Sequence, residues 1–227
     1  MTFDEVMTLL AENGSEQTKK VLVKHGVREP FFGAKYVFIN KLAAKIKQNQ
    51  ALALQLYATD NTDAMYLAGL IANPQQFDQA MLQDWGDKAY WYMLSEHCVS
   101  HVLAESPFAD TLTYTWMQKS APENLASAAW ASLSHRLTKN IRTEHFTDEK
   151  VNELLDDIAQ NIHQAPNRVR YTMNGFLIAA GGMLPQFYDK ARSIAQQIGK
   201  VKVNMGETAC KVPDAFAYIE KVAARSK

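Results

Sequence analysis

The chain has no excess of charge of either sign: 24 Lys and Arg balance 24 Asp and Glu across 227 residues, a formal net charge of zero. No global field draws it to nucleic acid or to an acidic membrane, so anion binding has to come from a local patch. Cysteine is nearly absent. Cys98 and Cys210 are too few for a disulfide framework and are expected to stay reduced in a cytoplasmic protein. Long apolar runs are missing as well. The longest, GFLIAAGGML at 175–184, falls far short of the roughly 18 residues a membrane span requires, so no membrane partner is expected. The opening MTFDEVMTLL carries acids and no basic stretch, and it does not read as a secretory signal. The last absence is strand alternation: only KVKVN at 200–204 reads as extended, and no sheet is expected.

What is present is helical periodicity along almost the whole chain. With 47% hydrophobic residues, a chain of this length buries roughly 70% of its unfolded surface in one core, so residues 1–227 are read as one helical-repeat domain. Thr2 and Glu5 have capping-box spacing, and Asn13-Gly14 closes the helix they open. Ser15 caps the next helix and Gly26 stops it. Further helices are predicted at about 34–48, 50–58, 62–72, 75–84, 87–104, 108–118, 122–139, 148–164, 167–182 and 185–198. TDNT, NP, ESP, SAPE and QAPN separate them with turn and cap residues. An irregular segment from about 200 leads to a last helix at about 213–225.

About a dozen helices joined by short turns read as an all-α antiparallel array or solenoid, with a non-repetitive bundle as the alternative. Two echoes favour the array. NPQQFDQAMLQDW and SPFADTLTYTWMQK each place a proline at a helix start and a tryptophan near its end.

HGVREPFFGAK, then LALQLYATDNTDAMYLAGLIANP, then the tryptophan-bearing stretch at 90–102 resemble the DNA alkylation repair family of alkylpurine DNA glycosylases. The similarity runs over most of residues 3–200. It implies a curved array of HEAT-like helix pairs whose concave groove cradles duplex DNA, alkylated or distorted, with no cofactor. Lys35 and the helix containing Asp63, Ala64, Leu67 and Ala68 recur in the family's N-terminal half. Its catalytic members carry a Trp and an Asp four apart on one helix, an Arg on the next repeat and a second Trp beyond it. Here the first Trp corresponds to Trp91, but Ser95 stands at the Asp position. Ser127 aligns with the Arg and Phe176 with the second Trp. A carboxylate that stabilises an oxocarbenium ion contributes about 10² to 10³ in rate, so the resemblance implies DNA binding with ordinary glycosylase activity in doubt. A glycosylase using different groups and a protein-binding scaffold remain as alternatives.

YWYMLSEHCVSH at 90–101 concentrates the polar and aromatic candidates. At 100° per residue, Trp91, Leu94, Ser95, Cys98, Val99 and Val102 share an arc, while Glu96, His97 and His101 point away from it. His97 and His101 have the spacing of a metal pair but no third ligand or general base beside them, so no metal is expected. Cys98 reads as a packed thiol. Ser127, Ala131, Ser134 and Thr138 form a strip of small residues that floors a groove or lets a second helix approach. Arg168 and Arg170 lie in the first turn of a helix, where positive charge opposes the dipole. They point to an external anion or to the acids Glu153, Asp156 and Asp157 of the preceding helix. Asn167, Arg170 and Asn174 share a face suited to phosphate oxygens. Arg136, Lys139 and Arg142 would extend this into a basic stripe, or simply complement the C-terminus of their own helix. The DNA-binding candidates are therefore Lys35, Arg136, Lys139, Arg168, Arg170 and Asn174.

Overall fold

Local capping sets most helix starts in the computed structural model, which describes residues 1–225; Ser226 and Lys227, the end of the tail, lie outside the described residues. The N-terminal helices are α1 (Phe3–Glu12), α2 (Glu16–Lys24), α3 (Tyr36–Ile46), α4 (Gln50–Tyr57), α5 (Thr62–Ile71) and α6 (Gln79–Lys88). A π-helical turn at Leu94–Val99 then leads into α7 (Ser100–Glu105). The remainder are α8 (Ala109–Trp116), α9 (Glu123–Thr138), α10 (Asp148–Asn161), α11 (Asn167–Met183), α12 (Tyr188–Ile198) and α13 (Ala215–Ala223). Thr2 and Glu5 form the expected capping box of α1. Ser15, Asn49, Asn61, Asp78, Thr147 and Asp214 cap later helices with their side-chain oxygens, each satisfying a backbone N–H that the helix itself cannot. Gly26 ends α2 at φ +90°, a backbone conformation that glycine adopts without a Cβ clash.

The helices form two rows. The odd-numbered helices α3, α5, α7, α9, α11 and α13 pack side by side, with the π turn bridging α5 to α9. The even-numbered helices lie against them, α4 on α5, α8 on α9 and α12 on α11. Helices in consecutive pairs meeting mainly their neighbours are the expected all-α array, and the described residues contain no β-strand. Two apolar clusters fill it and divide on α9. Leu125, Ala128 and Ala129 face the N-terminal cluster, while Trp130, Leu133 and Leu137 face the C-terminal one. The two echoed tryptophans are both buried: Trp85 stacks on Tyr57 at 3.8 Å, and the Trp116 indole N–H donates to Gln83 Oε1 at 2.8 Å. None of the helices is long and apolar enough to cross a membrane, among the described residues.

The largest departure from the expected helices is at 87–104. The helix expected at 75–84 starts later, at Gln79, where Asp78 accepts a hydrogen bond from Met81 N. It runs on to Lys88, so the next helix cannot start at 87. A single α-helix is replaced there by a break, the π turn and α7. Leu94, Ser95 and Glu96 are buried in succession within this turn. Gly69 admits α5 against this turn, since a Cβ there would lie 2.5 Å from Cys98 Cβ.

Candidate nucleic-acid interface

The three aromatics that open YWYMLSEHCVSH each do something different. Tyr90 fixes the HGVREPFFG loop: its hydroxyl hydrogen-bonds Arg28 N at 3.1 Å and Thr62 Oγ1 at 2.7 Å, and its ring lies under the Arg28 guanidinium. Asp63 holds the far end of the same loop, accepting from Phe32 N at 2.6 Å and Gly33 N at 2.9 Å. Trp91 is only 3% exposed, and its indole N–H donates to the carbonyl of His25, at the end of α2, at 2.7 Å. Tyr92 is half-buried and turns toward α11.

Tyr92 belongs to a four-residue cluster that draws on the π turn and α11, either side of α9. The Arg168 guanidinium meets the Glu96 carboxylate through two hydrogen bonds, Nε to Oε1 at 2.7 Å and Nη2 to Oε2 at 2.6 Å. Its faces lie against the Tyr92 ring at 4.5 Å and the Tyr171 ring at 4.4 Å. This bidentate geometry suits Arg and not Lys, and the aromatic faces favour a delocalised cation. Glu96 is 4% exposed. Burial raises its carboxyl above the ordinary range, against the pull of Arg168. Burial also works against the Arg168 charge, but Glu96 outweighs it and the guanidinium is held protonated. The Glu123 carboxylate accepts from Arg168 N, so two internal acids answer the positive charge in the first turn of α11. The acids expected there are engaged elsewhere: Glu153 with Lys150, Asp156 with Lys190, Asp157 with Asn161.

Two recesses flank the cluster. One of about 250 Å³ crosses three members of the odd row, with Glu96, His97 and His101 on one side, Ser134 and His135 from α9 below, and Tyr171 on the other. Ala131, Ser134 and Thr138 line this recess, so the small-residue strip floors a groove over three of its four positions. Ser127 is fully buried, donating to Asn124 O at 3.1 Å. His101 stacks on His135 at 4.1 Å, and burial together with its histidine neighbours lowers its pKa to about 3. His135 in turn contacts Glu105 at 2.8 Å. Among the described residues no three His, Cys, Asp or Glu side chains are placed to hold a metal ion. The second recess, about 500 Å³, lies between the end of α2 and the segment 204–207, with Tyr92 and Arg168 in its wall.

The residues expected from the resemblance scatter. Ser95 is 2% exposed and makes only long contacts to Trp91 O at 3.5 Å and Tyr92 O at 3.4 Å. Phe176 is fully buried against Trp130. Trp91, Ser95, Ser127 and Phe176 are thus packed rather than presented. An aromatic and a carboxylate four apart do come together, one position along, as Tyr92 and Glu96. That spacing was legible in YMLSE, whereas the π turn that buries Glu96 was not. Cys98 is fully buried, its thiol pushed up by burial.

The basic stripe also breaks up. Arg136 is fully buried, donating to Asp110 Oδ1 at 2.7 Å and Thr143 Oγ1 at 3.0 Å beneath the Phe146 ring. It is a core ion pair with no face for a phosphate. Arg142 pairs with Asp148 at 3.2 Å. Asn174 is 1% exposed and donates to Pro213 O at 3.0 Å, so its amide holds the tail. Lys139 is exposed at the end of α9. Lys35 is exposed at the start of α3, beside a third recess of about 330 Å³ that Tyr36 and Trp91 also line.

With this geometry in place, the comparisons with known proteins are direct. The profile of the family described as "DNA alkylation repair enzyme" matches residues 6–196. An uncharacterized protein of Listeria monocytogenes is 31% identical over 238 residues, covering 100% of both chains. A second, from Listeria innocua, is 31% identical over 232 residues and 97% of each chain. A solved structure from a family described as related to the HEAT-like repeat DNA glycosylases, with affinity for branched DNA structures, superposes with a TM-score of 0.86. It is 35% identical, and the match covers 99% of this chain and 95% of that one. The fold is therefore that of the HEAT-like repeat glycosylases, and the chain belongs to the DNA alkylation repair enzyme family.

Proposed function

We propose that the protein binds duplex DNA, in branched or distorted form, across the recesses of the odd-numbered helix row, and that it does not release alkylated purines by the family's ordinary route. The observation that carries this reading is the Glu96–Arg168 pair. A carboxylate that stabilises a developing oxocarbenium ion has to face the sugar with its charge uncompensated. Glu96, the one carboxylate in the cluster, has both oxygens occupied by a guanidinium that two tyrosines hold in place. The affinity for branched DNA described for the 35%-identical structural relative favours recognition of shape over chemistry. In a chain of zero net charge, binding rests on local cations such as Lys35 and Lys139, so it is steeply salt-dependent.

The same cluster favours a second reading, in which Arg168 swings onto a DNA phosphate and frees Glu96 to act as the catalytic carboxylate. Gel-shift titration of linear duplex, three-way and four-way junctions, paired with base release from methylated duplex, separates the two. Tighter binding to junctions with background base release supports the first. Base release that Glu96→Gln abolishes establishes the second and overturns the first.

A further inference from the structure

α11 turns its two N-terminal arginines in different directions. Arg168 and Arg170 are about 200° apart round the helix, and while Arg168 meets Glu96, Arg170 faces the segment 200–214. This strap has no helix or strand from 200 to 214, yet it is tied down at both ends. The Asn167 side chain pairs with the backbone of Asn204, donating from Nδ2 at 2.9 Å and accepting at Oδ1 from the N–H at 2.6 Å. Asn174 holds Pro213. Ahead of the Asn204 tie, Val201 is buried in the C-terminal apolar cluster and Val203 packs on it, and the alternating lysines Lys200 and Lys202 are exposed. Under the strap is a cavity of about 630 Å³, and its charged lining is Arg170, Lys200, Lys202 and Lys211. No carboxylate lines it. Among the described residues none of these four forms an ion pair within 4.0 Å. The Nε of Arg170 is sealed from solvent without a hydrogen-bond acceptor. Four uncompensated cations held round one cavity repel one another, and a sequence with as many acids as bases has not placed a single acid there.

We infer that the strap cavity, with Arg170, Lys200, Lys202 and Lys211, is a second phosphodiester-binding site that takes the backbone of a second DNA arm while the first lies across the odd-row recesses. The inference rests on the proposed DNA binding and deepens it. The two sites share α11, one on each side of its first turn, an arrangement that suits two backbones leaving in different directions, as the arms of a junction do. The cavity is several times larger than one phosphate, and its cations come from two segments of chain; both features suit a run of backbone phosphates contacted by point charges.

The test compares wild type with Arg170→Gln and with the triple variant Lys200→Gln/Lys202→Gln/Lys211→Gln, on a four-way junction and on a linear duplex carrying one of its arms. The three lysines are exposed and unpaired, so that variant should melt with the wild type and report on binding alone. We expect each variant to lose affinity for the junction, the triple by roughly tenfold or more, with the slope of log K against log salt falling by about 0.9 for each contact removed. Duplex affinity should stay unchanged. Millimolar inorganic phosphate at constant ionic strength should not compete. An unchanged junction preference in the triple variant overturns the inference, as does equal loss on both DNAs. Loss of the preference to phosphate alone reassigns the cavity to a small anion and also overturns it. Wild type that binds both DNAs equally sinks the second-arm site and leaves the DNA-binding reading standing; wild type that binds neither removes both.

Discussion

Arg168 and Arg170 sit two residues apart on one helix turn, and they belong to opposite kinds of site. Arg168 reaches an acid 72 residues away in sequence and is enclosed by two tyrosine rings. Arg170 has lysines for company and an unmatched donor atom. On the Arg168 side, charge is neutralised internally and the pair is part of the fold. On the Arg170 side, no acid lines the cavity and one buried donor atom is unmatched. A basic residue in a helix's first turn therefore says little by itself. What decides its role is whether the neighbouring rows deliver a carboxylate to it.

The largest test of this comparison is stability. Arg168→Ala leaves Glu96 as an uncompensated buried charge and should cost about 3–5 kcal/mol, read from the midpoint of chemical denaturation at constant slope. Arg170→Ala should stay within about 1 kcal/mol of wild type. Equal losses would erase the distinction between the two sides of α11.

Next in size is a contrast between a packed position and a groove position. Ser95→Asp forces a carboxylate into a site 2% exposed, with only the backbone carbonyls of Trp91 and Tyr92 nearby, and should cost several kcal/mol. Thr138→Asp, on the exposed floor of the histidine-lined recess, should cost about 0.5 kcal/mol, the scale of a misplaced charge at a helix end. A Ser95→Asp protein that melts with the wild type would return that position to an open groove.

A smaller effect follows from His101. Its folded pKa of about 3 lies below the ordinary value near 6.5, so between these limits the unfolded chain takes up a proton that the folded chain refuses. Stability therefore falls as pH drops from about 6.5 toward 3, by about 1.4 kcal/mol per pH unit at most. Glu96, with its carboxyl raised by burial, acts in the opposite sense: protonation favours the folded form, and that contribution is lost as pH rises through its raised value. Melting curves between pH 7 and 5 should show the histidine effect, and His101→Gln should flatten it. A slope that survives His101→Gln would assign it to another group.

The smallest change is Lys139→Ala. It should leave the melting temperature alone and lower the salt slope of DNA binding by about 0.9 if the lysine meets one phosphate. An unchanged slope would place Lys139 outside the interface.

The outcome for individual residues shows where sequence reasoning reached. Trp91, Ser95, Ser127 and Phe176 were expected along a cleft because a family motif places functional groups there, but burial closes all four. The same four-residue spacing occurs one position along, where both residues meet Arg168. YMLSE holds an aromatic and a carboxylate four apart, and these two reach the cluster. Their place could not be read because the π turn, not an α-helix, carries Leu94 through Val99. Arg136 was read as surface charge from its place near a helix end. Only the fold reveals Asp110 and Thr143 around it. The donor row Asn167, Arg170 and Asn174 was correctly placed on one face. What that face meets is the chain's own tail.

The sequence by itself determined the parts that depend on neighbours within about four residues: the all-helical content, the caps at Thr2 and Ser15, the stop at Gly26, and the irregular strap that begins near 200. Capping and hydrophobic periodicity are local, so each was written in a short window. Tertiary structure alone decided which charges meet. α9 lies between the π turn and α11 in the odd row, and this sets Glu96 opposite Arg168 while no acid is set opposite Arg170. Coulomb energy depends on separation in space and on the surrounding dielectric, and separation along the chain carries neither.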